Sequence, residues 1–375
     1  ELIRRKVIPP TSPRLTPLLS YAACGTVADC VNLGSSRNNR AIVRHGLYLM
    51  NTQPLPCWRA MRRANRDAPF TAETIGFVCG PRINGAGRVD DSMHSVDFLL
   101  SRREEEAARL LTRLEEHNTH RKSIQDEMQR TAKPIAALQD GYGVAAIVVY
   151  LPNGHAGIHG ICASRIVEAY GRPTVCFSPK QGVDGVLTGS MRSIDGVHLK
   201  RALDRAKELD PDCVISYGGH AMAAGCAIRI ENLESFQAAL RAAIVEQMPA
   251  EDMRPVVHTD GSLPRAPDLE MLTEIAALEP YGRQFPAPVF EGAFTVKTIR
   301  PVGDGRHLKL ELRDGSGRVF PGIWFGAVDQ ASSPLPINVG DTATFAYTLA
   351  SNTYRGNTTV DMRIETVLFP DKASQ

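Results

Sequence analysis

The sequence predicts an α/β fold followed by a small β-barrel, on three observations. Residues 143 to 247 alternate short apolar runs of strand length with helix-period segments, the pattern of an α/β domain. Residues 101 to 137 keep a helical apolar spacing through a strongly charged stretch, which predicts one long helix. Residues 255 to 375 alternate apolar and polar positions between turn signals, about five strands with no convincing helix between them, and a barrel of the oligonucleotide-binding type is the natural candidate.

Each element has its own warrant. In the basic first hundred residues, 13 Lys and Arg stand against 7 Asp and Glu, and Arg59, Arg62, Arg63 and Arg66 cluster as on a solvated helix face. Ser101 with Glu104 three residues on suggests a capping box at the start of the long helix, and Pro134 should end or kink it. A helix that long and that polar usually bridges two bodies. Strands are expected at Val144–Tyr150, Thr174–Ser178, Val186–Gly189 and Cys226–Ile230, with helices at Gly157–Tyr170, Val197–Leu209 and Leu233–Val245. Barrel strands are expected at His307–Leu312, Arg318–Phe325, Thr342–Leu349 and Thr358–Val367, separated by turns such as Asp314-Gly315 and Gly340-Asp341.

Composition excludes several classes. With 375 residues, 43% apolar and 22% charged, the chain can bury a core and is neither disordered nor collagen-like. No apolar run approaches the roughly 18 residues of a membrane helix. The net charge of +2 says nothing about nucleic acid, so the distribution of charge must. The cysteines at 24, 30, 57, 79, 162, 176, 213 and 226 form no C-x-x-C pair, which argues against a zinc motif and for reduced thiols in the cytoplasm. Glu1 to Pro10 carry no targeting signal and read like the middle of a longer sequence, so further sequence is expected upstream of Glu1.

Several loops carry residues suited to phosphate chemistry. Asp29 closes Gly25-Thr26-Val27-Ala28-Asp29 after an expected small-residue strand, and is either a helix cap or turn residue or a metal-binding carboxylate. In Pro81–Arg88, Asn84 and Arg88 share a face if the segment is helical. They would then suit a phosphate oxygen, unless Arg88 pairs with Asp90 or Asp91. Gly154–Gly160, with His155, precedes a helix carrying Arg165; its glycine spacing departs from the dinucleotide fingerprint, but a helix N-terminus still favours an anion. Ser190 and Arg192 lie in Thr188–Ser193, read as a Gly/Ser turn, and His220 follows Gly218-Gly219, read as a turn before a small-residue helix.

The ordered set of motifs resembles the RecJ family of single-strand-specific DNA exonucleases, in the DHH phosphoesterase superfamily. The segments are GTVADCVNL (25–33), NNRAIVRHGL (38–47), PRINGAGRVDD (81–91), HAGIHGICASRI (155–166), GSMRSIDG (189–196), GGHAMAAG (218–225), EPYGRQFPAPVF (279–290) and RHLKLEL (306–312). The resemblance implies the C-terminal part of a DHH catalytic domain at 1–100, a connecting helix at 101–137, a DHHA1 domain at 138–250 and an oligonucleotide-binding (OB) barrel at 255–375. It implies degradation of single-stranded DNA from the 5′ end with two Mn²⁺ or Mg²⁺ ions, in the company of DNA-repair proteins.

By the same resemblance Asp29 is the last metal-binding carboxylate and so the catalytic one. Asn84 and Arg88 contact phosphate, and Arg165, Ser190 and Arg192 hold DNA, the last two near the 5′-phosphate. His155 and His220 stand in the same cleft. Tyr281, Phe285, Trp324, Phe325, Tyr347 and Tyr354 are aromatics available to the barrel for stacking, unless they belong to its core. The sequence departs from the family in lacking its N-terminal motifs, an Asp-x-Asp pair, a further Asp and the Asp-His-His triplet, in His159 where an aliphatic residue is usual, and in Gly85 where Ala is usual. A non-cutting DNA-binding module and a phosphodiesterase for short oligonucleotides are the alternative readings.

Overall fold

A computed structural model describes residues 15–328, 332–354 and 357–368, with backbone alone for Thr353, Tyr354 and Asn357. The expectations for Glu1 to Pro10 and for the Tyr354 side chain lie outside the described residues. The helices are α1 (Leu19–Ala28), α2 (Arg37–Thr52), α3 (Pro56–Ala64), α4 (Ala72–Thr74), α5 (Gly80–Val89), α6 (Met93–Leu100), α7 (Glu104–Gly141), α8 (His159–Tyr170), α9 (Leu199–Leu209), α10 (Leu233–Val245) and α11 (Leu269–Ala277). The strands are β1 (Ile147–Tyr150), β2 (Thr174–Pro179), β3 (Val186–Arg192), β4 (Ser216–Gly219), β5 (Ala223–Arg229), β6 (Phe290–Val302), β7 (His307–Arg313), β8 (Val319–Trp324), β9 (Thr342–Tyr354) and β10 (Asn357–Leu368). They fall into two compact units.

One unit comprises residues 55–68 and 78–256. Its sheet runs β1-β2-β3-β5-β4, with β1 and β2 parallel and the other pairs antiparallel. One face packs on α9 and α10 through Phe177, Leu187, Met191, Leu203, Phe236 and Leu240. The other packs on α7 and α8 through Ile147, Val149, Met128, Ala132, Ile158 and Ile166. The α7 stripe Ala107, Leu111, Leu114, Asn118, Arg121, Met128, Ala132 and Ala136 is buried along its whole length. Its N-terminal half meets α3, α5 and α6, and its C-terminal half meets β1 and α8.

Several local expectations change here. The N-cap of α7 is Arg103, not Ser101, whose hydroxyl donates instead to Phe98 O. Glu104 is bound by Arg59 (3.1 Å) and Arg63 of α3, so two of the four clustered arginines have a carboxylate partner. Pro134 does not end α7, because buried Ala132 and Ala136 anchor the turns on both sides of it. The helix lies wholly within one compact unit, since the same buried stripe serves both of its halves. Thr188–Arg192 is strand, not turn, paired to β2 and β5. Ala223–Gly225 is strand as well, forming a hairpin with β4; alanine favours helix locally, but pairing with β3 overrides that weak preference.

The other unit gathers the described residues before Leu55, residues 69–77 and those from Val257 onward. In it α1 lies close on α2 at Gly46, where a Cβ would stand 2.4 Å from Leu19 O. Asp29 therefore follows a helix rather than a strand, as its C-cap; buried Ser20, Ala23 and Cys24 form the inner face of α1. Five strands close a barrel in the order β10-β8-β7-β6-β9. Phe294, Leu308, Leu310, Leu312, Phe345 and Ile364 fill its core, and strict alternation along β7 shows the period-two pattern directly. The sequence reading missed β6 as a strand and α11 ahead of it.

Candidate nucleic-acid interface

Within the α/β unit, three elements bring cationic and small residues together. Helix α5 presents Asn84 and Arg88, one turn apart and both exposed. A 3-10 turn (Ala156–Ile158) leads into the N-terminus of α8, with His155 Nδ1 accepting from Gly157 N (3.2 Å). Strand β3 carries Ser190 and Arg192 on one side, half-buried, while Gly189 and Met191 point to the opposite side.

The approach is close enough to require glycine. Arg88 Nη1 donates to Gly157 O (3.1 Å), and a Cβ on Gly157 would stand 2.3 Å from Arg88 O. A Cβ on Gly160 would stand 2.5 Å from Arg192 Nη2. Arg192 Nη1 donates to Met191 O (2.8 Å). Among the described residues neither Arg88 nor Arg192 pairs with a carboxylate, so Asp90 and Asp91, the alternative partners of Arg88, leave it alone.

The electrostatics fit an anion site. Burial, then the charge of Arg88, hold the Arg192 guanidinium below its ordinary pKa. Arg121 on α7 is lowered by the same two causes in the same order. Arginine stays protonated throughout, so positive charge is concentrated beside the N-terminus of a helix, where an anion is favoured twice over. Below it lies His159, 1% exposed, its Nε2 without a hydrogen-bond partner. Burial and the neighbouring His155 push it down to about 4, so it is neutral at physiological pH.

Not every expected residue joins this cluster. Arg165 is exposed on α8 and pairs with Glu168 (2.9 Å). His220 is exposed in the β4–β5 turn, where its N–H donates to Ala223 O (2.8 Å). Arg121 was missed by sequence reasoning. It binds Asn118 Oδ1 through Nε and Nη2 (3.1 and 3.0 Å) and Gln125 Oε1 (2.7 Å), and the spacing 118, 121, 125 on one helical face was the available signal.

In the other unit, Asp29 is exposed and, among the described residues, lies in no metal-ligating cluster. One carboxylate does not fit a two-metal centre. On the barrel, Phe325 is 55% exposed, with the His307 ring centre 5.4 Å and the Arg363 guanidinium 5.7 Å from its ring centre. Lys309, Ser351 and Asn352 line the same hollow. Tyr347 is core, and burial pushes its hydroxyl up to about 12. Trp324 is half-buried against that core. Tyr281 and Phe285 stack on each other (5.7 Å), with Arg40 3.9 Å from the Phe285 ring centre.

Comparison with known proteins agrees with this architecture. Residues 143–246 match the DHHA1 domain and residues 260–366 the RecJ OB domain. The chain is 34% identical over 367 residues to the single-stranded-DNA-specific exonuclease RecJ of Haemophilus influenzae, covering 95% of this chain and 62% of that protein. It is 37% identical over 366 residues to that of Escherichia coli, with the same coverage of both. The chain thus spans less than two thirds of the length of these relatives. The crystal structure of RecJ in complex with Mg²⁺ from Thermus thermophilus superposes with a TM-score of 0.78 at 28% identity, over 99% of this chain and 54% of that one. The corresponding Mn²⁺ complex gives 0.75 at 27%, over 99% and 52%. A DHHA1 domain and a RecJ OB domain follow one another in this sequence, and the chain is similar to RecJ exonucleases along nearly its whole length.

Proposed function

We propose that the chain is the DNA-holding major part of a single-stranded-DNA-specific 5′→3′ exonuclease of DNA repair and recombination. The observation that carries this reading is the meeting of Arg88 and Arg192 over Gly157 and Gly160 at the start of α8. Two guanidinium groups without carboxylate partners, beside a helix N-terminus, suit a DNA phosphate, and Ser190 on the Arg192 side of β3 adds a hydroxyl donor. The barrel holds nucleotides further along the strand, with exposed Phe325 as a stacking platform beside Lys309 and Arg363. Residues 1–100 then correspond to the end of a DHH catalytic domain, with Mn²⁺ or Mg²⁺ as the metals of the reaction. Free thiols, seven buried and Cys30 exposed, fit the reducing cytoplasm.

A second reading, a DNA-binding module that does not cut, is favoured by the isolation of Asp29 among the described residues. One experiment addresses both. The chain is titrated with a fluorescent 5′-phosphorylated single strand over a range of salt concentrations, and nucleotide release is followed with Mn²⁺ present. Tight binding that weakens steeply with salt, without release, is the expected result for this chain. Salt-independent binding overturns the phosphate site; vigorous Mn²⁺-dependent release overturns the second reading.

A further inference from the structure

We propose that Asp90, His94 and His117 form a binding site for a zinc-class divalent cation, separate from the catalytic metals, that pins the end of α5 to the long helix. Asp90 is the C-cap of α5, His94 lies in the first turn of α6 and His117 in the first half of α7. Asp90 Oδ2 stands 3.6 Å from His94 Nε2 and 3.5 Å from His117 Nε2, and the three ligand atoms lie within 4.8 Å of one another. Metal–ligand bonds of about 2.0–2.2 Å in a tetrahedron set ligand atoms roughly 3.4 Å apart, so both carboxylate–imidazole separations match a shared cation.

Both Nε2 atoms face the same carboxylate oxygen, and the two rings lie side by side with centres 5.4 Å apart. His117 Nε2 is buried and makes no hydrogen bond. A buried ring nitrogen left unpaired costs free energy, and a cation would satisfy it. Among the described residues this is the one such cluster of His, Cys, Asp and Glu. Two imidazoles and one carboxylate favour Zn²⁺, Ni²⁺ or Co²⁺ over Mg²⁺ or Mn²⁺, which prefer oxygen donors. Three protein ligands leave the fourth position to water, on the side where Asp90 is exposed.

The consequence is mechanical. Asp90 is two residues from Arg88, so a cation here ties the turn that ends at the proposed phosphate site to α7. Binding to the folded state alone also raises thermal stability.

The test uses the whole chain, stripped with chelator, in a Cys30→Ser background that removes the exposed thiol. Titration with Co²⁺ should give one equivalent with the visible bands of tetrahedral cobalt, displaced by Zn²⁺, and zinc should raise the unfolding midpoint. His94→Ala, His117→Gln and Asp90→Asn should each weaken binding at least tenfold. His120→Ala, an exposed histidine one turn further along α7, and Asp29→Asn should not. Unfolding without metal, followed by circular dichroism, shows whether each variant is folded; if one is not, the other two decide. Mg²⁺ at the same concentration should leave the midpoint unchanged. Absence of the cobalt bands in the parent, or cobalt binding that survives both histidine substitutions, overturns the site.

Discussion

The Cα of Gly160 lies directly against the Arg192 guanidinium, so that a methyl group there would stand 2.5 Å from Nη2 and 3.0 Å from Cζ. The obstructed atoms are the far end of a flexible side chain, which can move aside. Gly160→Ala should therefore fold, and by helix propensity gain up to about 1 kcal/mol of stability, while pushing Arg192 out of place. Single-strand binding should fall with the unfolding midpoint unchanged or raised. A variant that binds like the parent would separate Arg192 from the DNA site.

Gly157 is the contrasting case, because its imagined methyl meets backbone, 2.3 Å from Arg88 O. Backbone cannot swing away, so α5 and the turn before α8 must part. Gly157→Ala should destabilise the fold by about 1–3 kcal/mol, as overpacking does, and weaken DNA binding as well. Urea unfolding checks the first part, and an undiminished midpoint would show that the two elements are not held together there.

If Arg192 grips a terminal phosphate, Arg192→Ala should weaken binding of 5′-phosphorylated DNA by about 1.5–3 kcal/mol, the range for a lost charge-assisted bond. Binding of 5′-hydroxyl DNA should change much less. Lysine should restore little, since it cannot reproduce a paired guanidinium contact. The midpoint should barely move, because the bond Arg192 makes within the protein runs to the neighbouring carbonyl of Met191. Equal losses on both DNA ends would assign Arg192 to general backbone contact.

The sequence was most legible where one physical signal dominated. The barrel strand β7 and the helix α10 follow from periodicity alone, because each has one buried face. It was least legible at small residues. Ala223–Gly225 and Leu19–Ala28 carry little side-chain pattern, so cross-strand pairing in one and close helix packing at Gly46 in the other decided their structure. The same limit applied to the site. Arg88 and Arg192 could be picked out as residue types, but their meeting depends on how β3 lies against α8, which no local spacing encodes.

On the barrel, two aromatic residues that look alike in sequence should behave differently. Phe325 is exposed beside Lys309 and Arg363, whereas Tyr347 is 2% exposed in the core. Phe325→Ala should leave stability nearly unchanged and weaken a 30-mer by about 1–3 kcal/mol per lost stack, with little effect on a tetranucleotide held at its 5′ end. Tyr347→Ala should instead cost about 3–5 kcal/mol of stability, as large core truncations do. Equal losses for both DNA lengths would show that the barrel face around Phe325 does not hold the strand.

His159 should make the stability of the α/β unit fall in acid. Its pKa in the fold is about 4 against 6.5 for the free side chain, with burial as the main cause and His155 second. Between those values the unfolded chain binds a proton that the folded chain refuses, so stability rises with pH across the window and is lost as pH falls through it. At pH 5 the cost is on the order of 2 kcal/mol. His159→Ile places an apolar side chain in a site that is 1% exposed and removes the unsatisfied Nε2. The difference in unfolding free energy between variant and parent should therefore be larger at pH 5 than at pH 7.5 by about that amount, the contributions of the other histidines cancelling. Urea unfolding of both proteins at the two pH values measures it. A difference that does not depend on pH would mean that His159 takes up its proton in the folded state as readily as in the unfolded one.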